Sequence, residues 1–260
     1  MGLWLVRDVP SWLVALVVIG GVAATTVGLD HLIHQWLPHR RLGRYNIVTG
    51  IFVSIVGVAY GIIVGNCVVT LWDKHSEAGH IARQESTNLT ALAEAGHVFG
   101  PAIEARLSEQ VARYNDTIAD GWSERIRGIS NPDEETSLDA ISDTVNGLKP
   151  ASDAQRAFVQ DAVVRIGLGR ELRQQALDQA SDQQIPGMLW FALGAATVGV
   201  LSLCLLFGLD DSVVRRTLLM LAALVVATNL FVVIQMNYPY FGSFSVGPGS
   251  YEQAAEGLRR

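Results

Sequence analysis

Apolar residues fall into four long runs along this chain, and polar residues fill most of what lies between them. The runs cover residues 12–29, 47–72, 186–209 and 217–235, and none contains Asp, Glu, Lys or Arg. A helix needs about 20 apolar residues to cross a hydrocarbon core, and in lipid it satisfies its own backbone hydrogen bonds. The pattern predicts four transmembrane helices in two pairs. Residues 73–185 show no strand-like alternation and are rich in Ala, Glu, Gln, Arg and Leu, which favour helix. The expected fold is all-α, with a helical extramembrane domain built on extensions of the second and third spans.

Punctuation sets the finer plan. Nothing stops the second helix at Trp72, so it is predicted to run on to about Glu94 or Val98. Gly100-Pro101 breaks it, with Pro101 opening the next helix. That helix is predicted to reach about Arg127, with Ile103, Leu107, Val111, Tyr114, Ile118 and Trp122 on one face. Asn131-Pro132 marks a turn, and a short helix follows from about Glu134 to Asn146. Ser152 or Asp153 is placed to cap a long helix running to Gln184 and into the third span at Pro186. Residues 210–216 read as a tight helical hairpin. The aromatic stretch 237–248 suits a membrane interface, and a last helix is expected from about Ser250 to Leu258. The chain thus divides at 1–72, 73–185, 186–236 and 237–260.

Composition supports the membrane reading. The chain has 260 residues, of which 50% are hydrophobic and 17% charged, lean in charge for a soluble protein. Residues 73–185 carry 19 acidic and 11 basic side chains, against 6 and 8 elsewhere. An acidic middle argues against nucleic acid as a partner, because phosphate binding needs a basic face. The first run has a weak basic leader and small residues Gly20, Ala24 and Gly28 at four-residue spacing, so it reads as a retained helix rather than a signal peptide. Arg40, Arg41, Arg44, Arg215 and Arg216 flank the short loops, while Arg7, Lys74, Arg83, Arg170 and Arg173 lie on the other side. The denser arginines favour cytoplasmic short loops. Cys67 and Cys204 fall within spans and read as small apolar side chains.

The second helix carries the candidate chemistry. At 100° per residue, Gly50, Ser54, Gly57, Gly61 and Gly65 form one stripe, a surface for close helix packing in lipid. Asn66, Thr70, Asp73, Glu77, His80 and Gln84 form a second stripe roughly 140° away. Ile55, Ala59 and Ile62 continue that second side as an apolar strip. With several copies around an axis, this side would line a pore: a dry constriction at Ile55, Ala59 and Ile62, then Asn66 and Thr70, opening into an acidic vestibule, Asp73 to Gln84. Apolar constrictions gate by dewetting and carboxylate rings favour cations. The competing reading is that Asn66 and Thr70 bond a neighbouring helix and the acidic stretch is simply a wet helix face.

Other sites are weaker. His31 and His34 follow Asp30, and Asp73, Glu77 and His80 share a face, two arrangements that could meet a metal. Neither is complete within one chain, so no metal or other cofactor is assigned. There is no His-Glu-x-x-His, Gly-x-Ser-x-Gly or P-loop pattern, and the reading is not an enzyme.

The stretch from Tyr60 to Ala78, with its run Gly-Asn-Cys-Val-Val-Thr-Leu-Trp-Asp, resembles the signature of the bestrophin-like family of bacterial membrane proteins. The tail beginning Asn237-Tyr-Pro-Tyr-Phe-Gly is similar to that family's ending, and the resemblance covers about Asn46 to Leu258. The family is remotely similar to the bestrophins, pentameric ion channels whose second membrane helix lines the pore. The local likeness is Val68 to Asp73; the single Trp72 stands where animal bestrophins have an aromatic pair, and their acidic calcium-clasp cluster is missing. The resemblance implies an oligomeric channel of the bacterial inner membrane, a pentamer by analogy, with the bilayer, small ions and further copies of itself as partners. A membrane-anchored helical scaffold or sensor without a pore is the alternative, and stoichiometry separates the two.

Overall fold

The computed structural model describes residues 9–36, 43–181, 185–209, 211–241 and 245–260, with the side chains of His34, Trp36 and Ser181 left aside. The helices in chain order are α1 (Ser11–Trp36), α2 (Asn46–Ala95), α3 (Pro101–Asp120), α4 (Trp122–Arg125), α5 (Pro132–Asn146), α6 (Asp153–Ser181), α7 (Gly187–Leu205), α8 (Ser212–Met236) and α9 (Gly249–Leu258). Short 3-10 turns at Gly43–Tyr45 and Gly96–Phe99 precede α2 and α3. No strand occurs among the described residues, and the all-α expectation holds. Four stretches are long and apolar enough to cross a membrane: Ser11–Ile33, Gly43–Phe99, Gly187–Leu205 and Ser212–Met236.

The chain forms two compact units. The first comprises Met1–Lys74 and Gln183–Phe244. In it α8 lies along α1, and both touch α7. Leu219, Ala223, Val226, Ala227 and Val233 recur at three- and four-residue spacing as the buried stripe of α8. The membrane part of α2 joins through Tyr60, Val64, Cys67 and Leu71, which cluster with Leu193 and Val200 of α7 and with Val226 and Val233 of α8. Polar links sit at the helix ends. Asn46 donates to the carbonyl of Gly208 at 2.8 Å and accepts from its N–H at 3.0 Å, so one amide satisfies both backbone groups just past α7. Asn237 accepts from the N–H of Ile185 at 3.2 Å. The outward faces stay apolar: Met188 is 86% exposed, Ile47 82% and Phe191 78%. An apolar exterior on this scale fits lipid, not water.

The second unit comprises His75–Asp182 and Ser245–Arg260. Its core gathers Leu89 and Leu92 from α2, Leu107, Val111, Tyr114 and Ile118 from α3, Leu138, Ile141 and Val145 from α5, Phe158 and Ile166 from α6, and Tyr251 from α9. The turn between α2 and α3 needs its glycines. A Cβ on Gly96 would stand 2.9 Å from the Leu107 side chain, and Gly100 has φ +96°. Pro101 then opens α3, as expected.

Some boundaries differ from the expectation. The helix predicted to reach Arg127 stops at Asp120, and α4 is a separate single turn after Gly121. A Cβ at Gly121 would lie 3.0 Å from the Thr117 carbonyl and 3.1 Å from Asn131. The short helix starts two residues early: the Asn131 side chain accepts from the N–H of Asp133, so Asn131-Pro132 is a helix cap with Pro at its first position. Ser152 caps α6 by accepting from the N–H of Gln155, and the stretch from Asp182 to Gln184 lies outside the described residues. Arg215 and Arg216 are helical residues in the first turn of α8, because Asp211 caps it through the N–H groups of Val213 and Val214.

Candidate functional site

The site begins with how α2 divides its circumference in the first unit. The buried side, Tyr60, Val64, Cys67 and Leu71, lies roughly 90° from the glycine stripe and roughly 130° from the polar one at 100° per residue. Apart from Gly50, both stripes are therefore left outside the packing of the first unit's described residues. Ile55 is 60% exposed and Ile62 61%; Ala59, Asn66, Thr70 and Asp73 are exposed as well. Neither Asn66 nor Thr70 makes a side-chain hydrogen bond among the described residues. On the glycine stripe a Cβ at Gly57, Gly61 or Gly65 would meet nothing within 4 Å, while one at Gly50 would touch the Phe207 ring at 3.6 Å. Ser54 bonds the carbonyl of Gly50, inside its own helix.

In the second unit the same helix buries Ala78, Ala82, Glu85, Leu89 and Leu92 and exposes Glu77 and His80, with Gln84 half-buried. Among the described residues no three His, Cys, Asp or Glu side chains group as metal ligands would. Asp30 is withdrawn from the His31 set because it faces Arg215. His31 is exposed and lies 3.0 Å from Gln35, and the His34 side chain, Arg7, Arg40 and Arg41 are outside the described residues. Cys67 and Cys204 are free thiols.

Two buried charge clusters escaped the sequence reading. In the first unit Arg215 of α8 donates to both carboxylate oxygens of Asp30 on α1, at 3.1 and 3.4 Å. Both residues are almost fully buried. Arg215 also reaches the Leu209 carbonyl at 3.4 Å. Its charge is thus paired inside the unit rather than standing in a short loop.

In the second unit Glu85 is completely buried. It accepts from the hydroxyls of Tyr114 at 2.6 Å and Tyr251 at 2.7 Å, and from Arg125 at 2.5 Å. Arg125 also donates to Glu134 at 2.8 Å, and its guanidinium lies 5.7 Å from the Tyr251 ring centre. Arg173 donates to the same Glu134 oxygen at 2.9 Å, to Ser130 at 3.0 Å, and to Glu135. Two buried carboxylates and two guanidiniums balance, and with the two tyrosines they tie α2, α3, α4, α5, α6 and α9 together. Arg173, like Arg215, is thus no free membrane-flanking charge. One signal was present: Glu85 sits within the 78-82-85-89-92 seam, an apolar helical spacing interrupted by one acid.

Electrostatics follow from the geometry. Burial would lower the Arg125 pKa, but Glu85, with Tyr251, Glu134 and Tyr114, more than offsets this and holds it above its ordinary value. Burial, then the Glu85 carboxylate, pushes the Tyr114 hydroxyl well above its usual 10.0, against a smaller opposing pull from Arg125. A folded pKa above the unfolded one stabilises below pH 10.0 and loses that contribution as pH rises through the folded value. A difference titration of phenolate absorbance between the native chain and Tyr114→Phe should therefore stay flat through about pH 10 and step only above it. A Tyr114 signal titrating near 10 would contradict the buried hydroxyl–carboxylate bond.

The family model described as Bestrophin-like domain matches residues 20–251. No curated protein matches the chain. A crystal structure of a bacterial Bestrophin homolog from Klebsiella pneumoniae, in a point-mutant form, superposes with a TM-score of 0.72 at 10% identity, covering 95% of this chain and 99% of that one. A second mutant of that homolog gives a TM-score of 0.70 at 12% identity, covering 94% and 97%. At these identities the likeness is one of fold.

Proposed function

The chain belongs to the Bestrophin-like family, and from that premise we propose that it is an oligomeric ion channel, cation-conducting, in which α2 lines the pore. The observation that carries this reading is the division of α2. Its Tyr60–Leu71 side is used up inside the chain, while Asn66 and Thr70 remain exposed on a membrane-spanning helix. Polar side chains facing hydrocarbon are costly, and a water-filled axis would relieve them. On this reading Ile55, Ala59 and Ile62 form the constriction, Asn66 and Thr70 line the wet part, and Asp73 gives the mouth its negative charge.

Glu77, His80 and Gln84 would continue a polar, cation-favouring path beyond the membrane. Gly57, Gly61 and Gly65 would take the neighbouring copy, since no described residue fills the space beside them. The setting is a bacterial inner membrane, and a pentamer is the expected ring by analogy with the bestrophins.

Liposome flux tests the assignment. Ile62→Asn should raise cation leak by wetting the constriction, and Glu77→Lys should lower cation over anion preference. If purified protein with either substitution conducts as the unaltered chain does, this face is not the pathway. A monomer or dimer in the bilayer would instead favour the scaffold reading.

A further inference from the structure

Beside the α7–α8 hairpin of the first unit is a cavity of about 250 Å3, lined by Cys204, Phe207, Leu209, Leu218, Leu219 and Ala222. Arg215, which also lines it, is already bound to Asp30 and the Leu209 carbonyl, so the described lining residues offer no free charge. Enclosing a drug-sized ligand takes about 300–1,000 Å3, which is more than this space provides. Its size and lining fit a length of hydrocarbon chain. The cavity opens outward, where Leu218 is exposed on an apolar helix.

Charge on the chain segments flanking it narrows the choice. Arg216 follows Arg215 on the first turn of α8 and is exposed. Arg44 is exposed next to Gly43, whose Cβ position lies 3.3 Å from the Gly208 carbonyl, between the cavity residues Phe207 and Leu209. Neither arginine has an ion-pair partner among the described residues. The nearby acid Asp211 is engaged with the N–H groups of Val213 and Val214, and a dry slot flanked by two guanidiniums without ion-pair partners among the described residues matches an amphiphile with an apolar chain and an anionic head.

We propose that this cavity holds one acyl chain of an anionic phospholipid, with Arg44 and Arg216 on its phosphate headgroup. Burying chain methylenes supplies affinity, and the arginines supply the preference for negative charge. The site is separate from the proposed pore side of α2, so it stands or falls without that reading.

Cys204 is a built-in reporter, half-exposed where Cys67 is buried. The full-length protein, in micelles doped with phosphatidylglycerol, phosphatidylcholine or no lipid, is treated with N-ethylmaleimide, and labelling of each cysteine is followed by peptide mass spectrometry. Phosphatidylglycerol should slow Cys204 labelling several-fold, phosphatidylcholine much less and inorganic phosphate not at all. Arg44→Gln with Arg216→Gln should abolish the difference between the two lipids. Both side chains are exposed and unpaired, so that variant is expected to fold. Ala222→Phe, which fills the cavity, should slow labelling in every mixture.

Equal protection by both lipids, protection by inorganic phosphate, or a lipid preference that survives loss of both arginines would overturn the proposal. Slow labelling without any lipid, as a second copy seated on the cavity would cause, overturns it too.

Discussion

Glu85→Ala should cost the helical unit outside the membrane about 3–5 kcal/mol, because it strands a buried guanidinium rather than merely deleting a contact. Glu85 takes three hydrogen bonds, from Tyr114, Tyr251 and Arg125, and all four side chains are buried. Removing the carboxylate leaves Arg125 with Glu134 alone, and that oxygen is shared with Arg173. Two hydroxyl donors lose their acceptor as well, at about 1–3 kcal/mol each when left unsatisfied. A domain of this size loses several degrees of Tm per kcal/mol, so the expected fall is on the order of 10 °C or more. Limited proteolysis of α9 should accelerate in parallel, since Tyr251 anchors that helix.

The control is Glu85→Leu combined with Arg125→Met, which removes both charges and should recover much of the loss. Thermal unfolding of the purified protein by circular dichroism reads all three. A Glu85→Ala protein melting within a degree or two of the unaltered chain would mean the network does not organise the unit.

The second large effect concerns the pair Asp30–Arg215, which joins α1 to α8. Either truncation leaves one buried ion without its partner, again about 3–5 kcal/mol in a rigid site. The two sides should not be equal. Arg215 lies in the first turn of α8, and its long stem lets the guanidinium snorkel toward headgroups when Asp30 is removed. Asp30 is short and has no such escape. Arg215→Ala should therefore be the more damaging change, Asp30→Ala the milder one, and Asp30→Leu with Arg215→Met close to the unaltered chain. Detergent thermal stability, read by size-exclusion chromatography after heating, gives the order; an Asp30→Ala protein less stable than Arg215→Ala reverses the argument.

Legibility in the sequence tracked periodicity and local chemistry. The seam Leu107, Val111, Tyr114, Ile118 on α3 was readable because a 3.6-residue repeat needs only neighbours in the chain. Gly100-Pro101 marked a real break for the same reason: φ +96° and a fixed proline ring act on their own residues. Where local signs competed, the reading slipped. Asn131-Pro132 is both a turn signal and a helix cap, and only packing of α5 decides which. Arg215 and Arg173 have the sequence positions of membrane-flanking charges, but the acids that pair with them stand 185 and 39 residues away.

The two stripes on α2 were visible from composition and helical arithmetic alone. That the chain packs instead on a third side, Tyr60 to Leu71, was not, because that depends on where α7 and α8 arrive. By itself the sequence determined four membrane helices, their long helical extension and its acidic charge, since hydropathy and propensity are properties of short segments. Tertiary structure alone decided that the Tyr60 side of α2 is spent on packing and that four buried charges neutralise one another. It also left the Ile55–Thr70 side open, because burial and ion pairing arise only when distant segments meet.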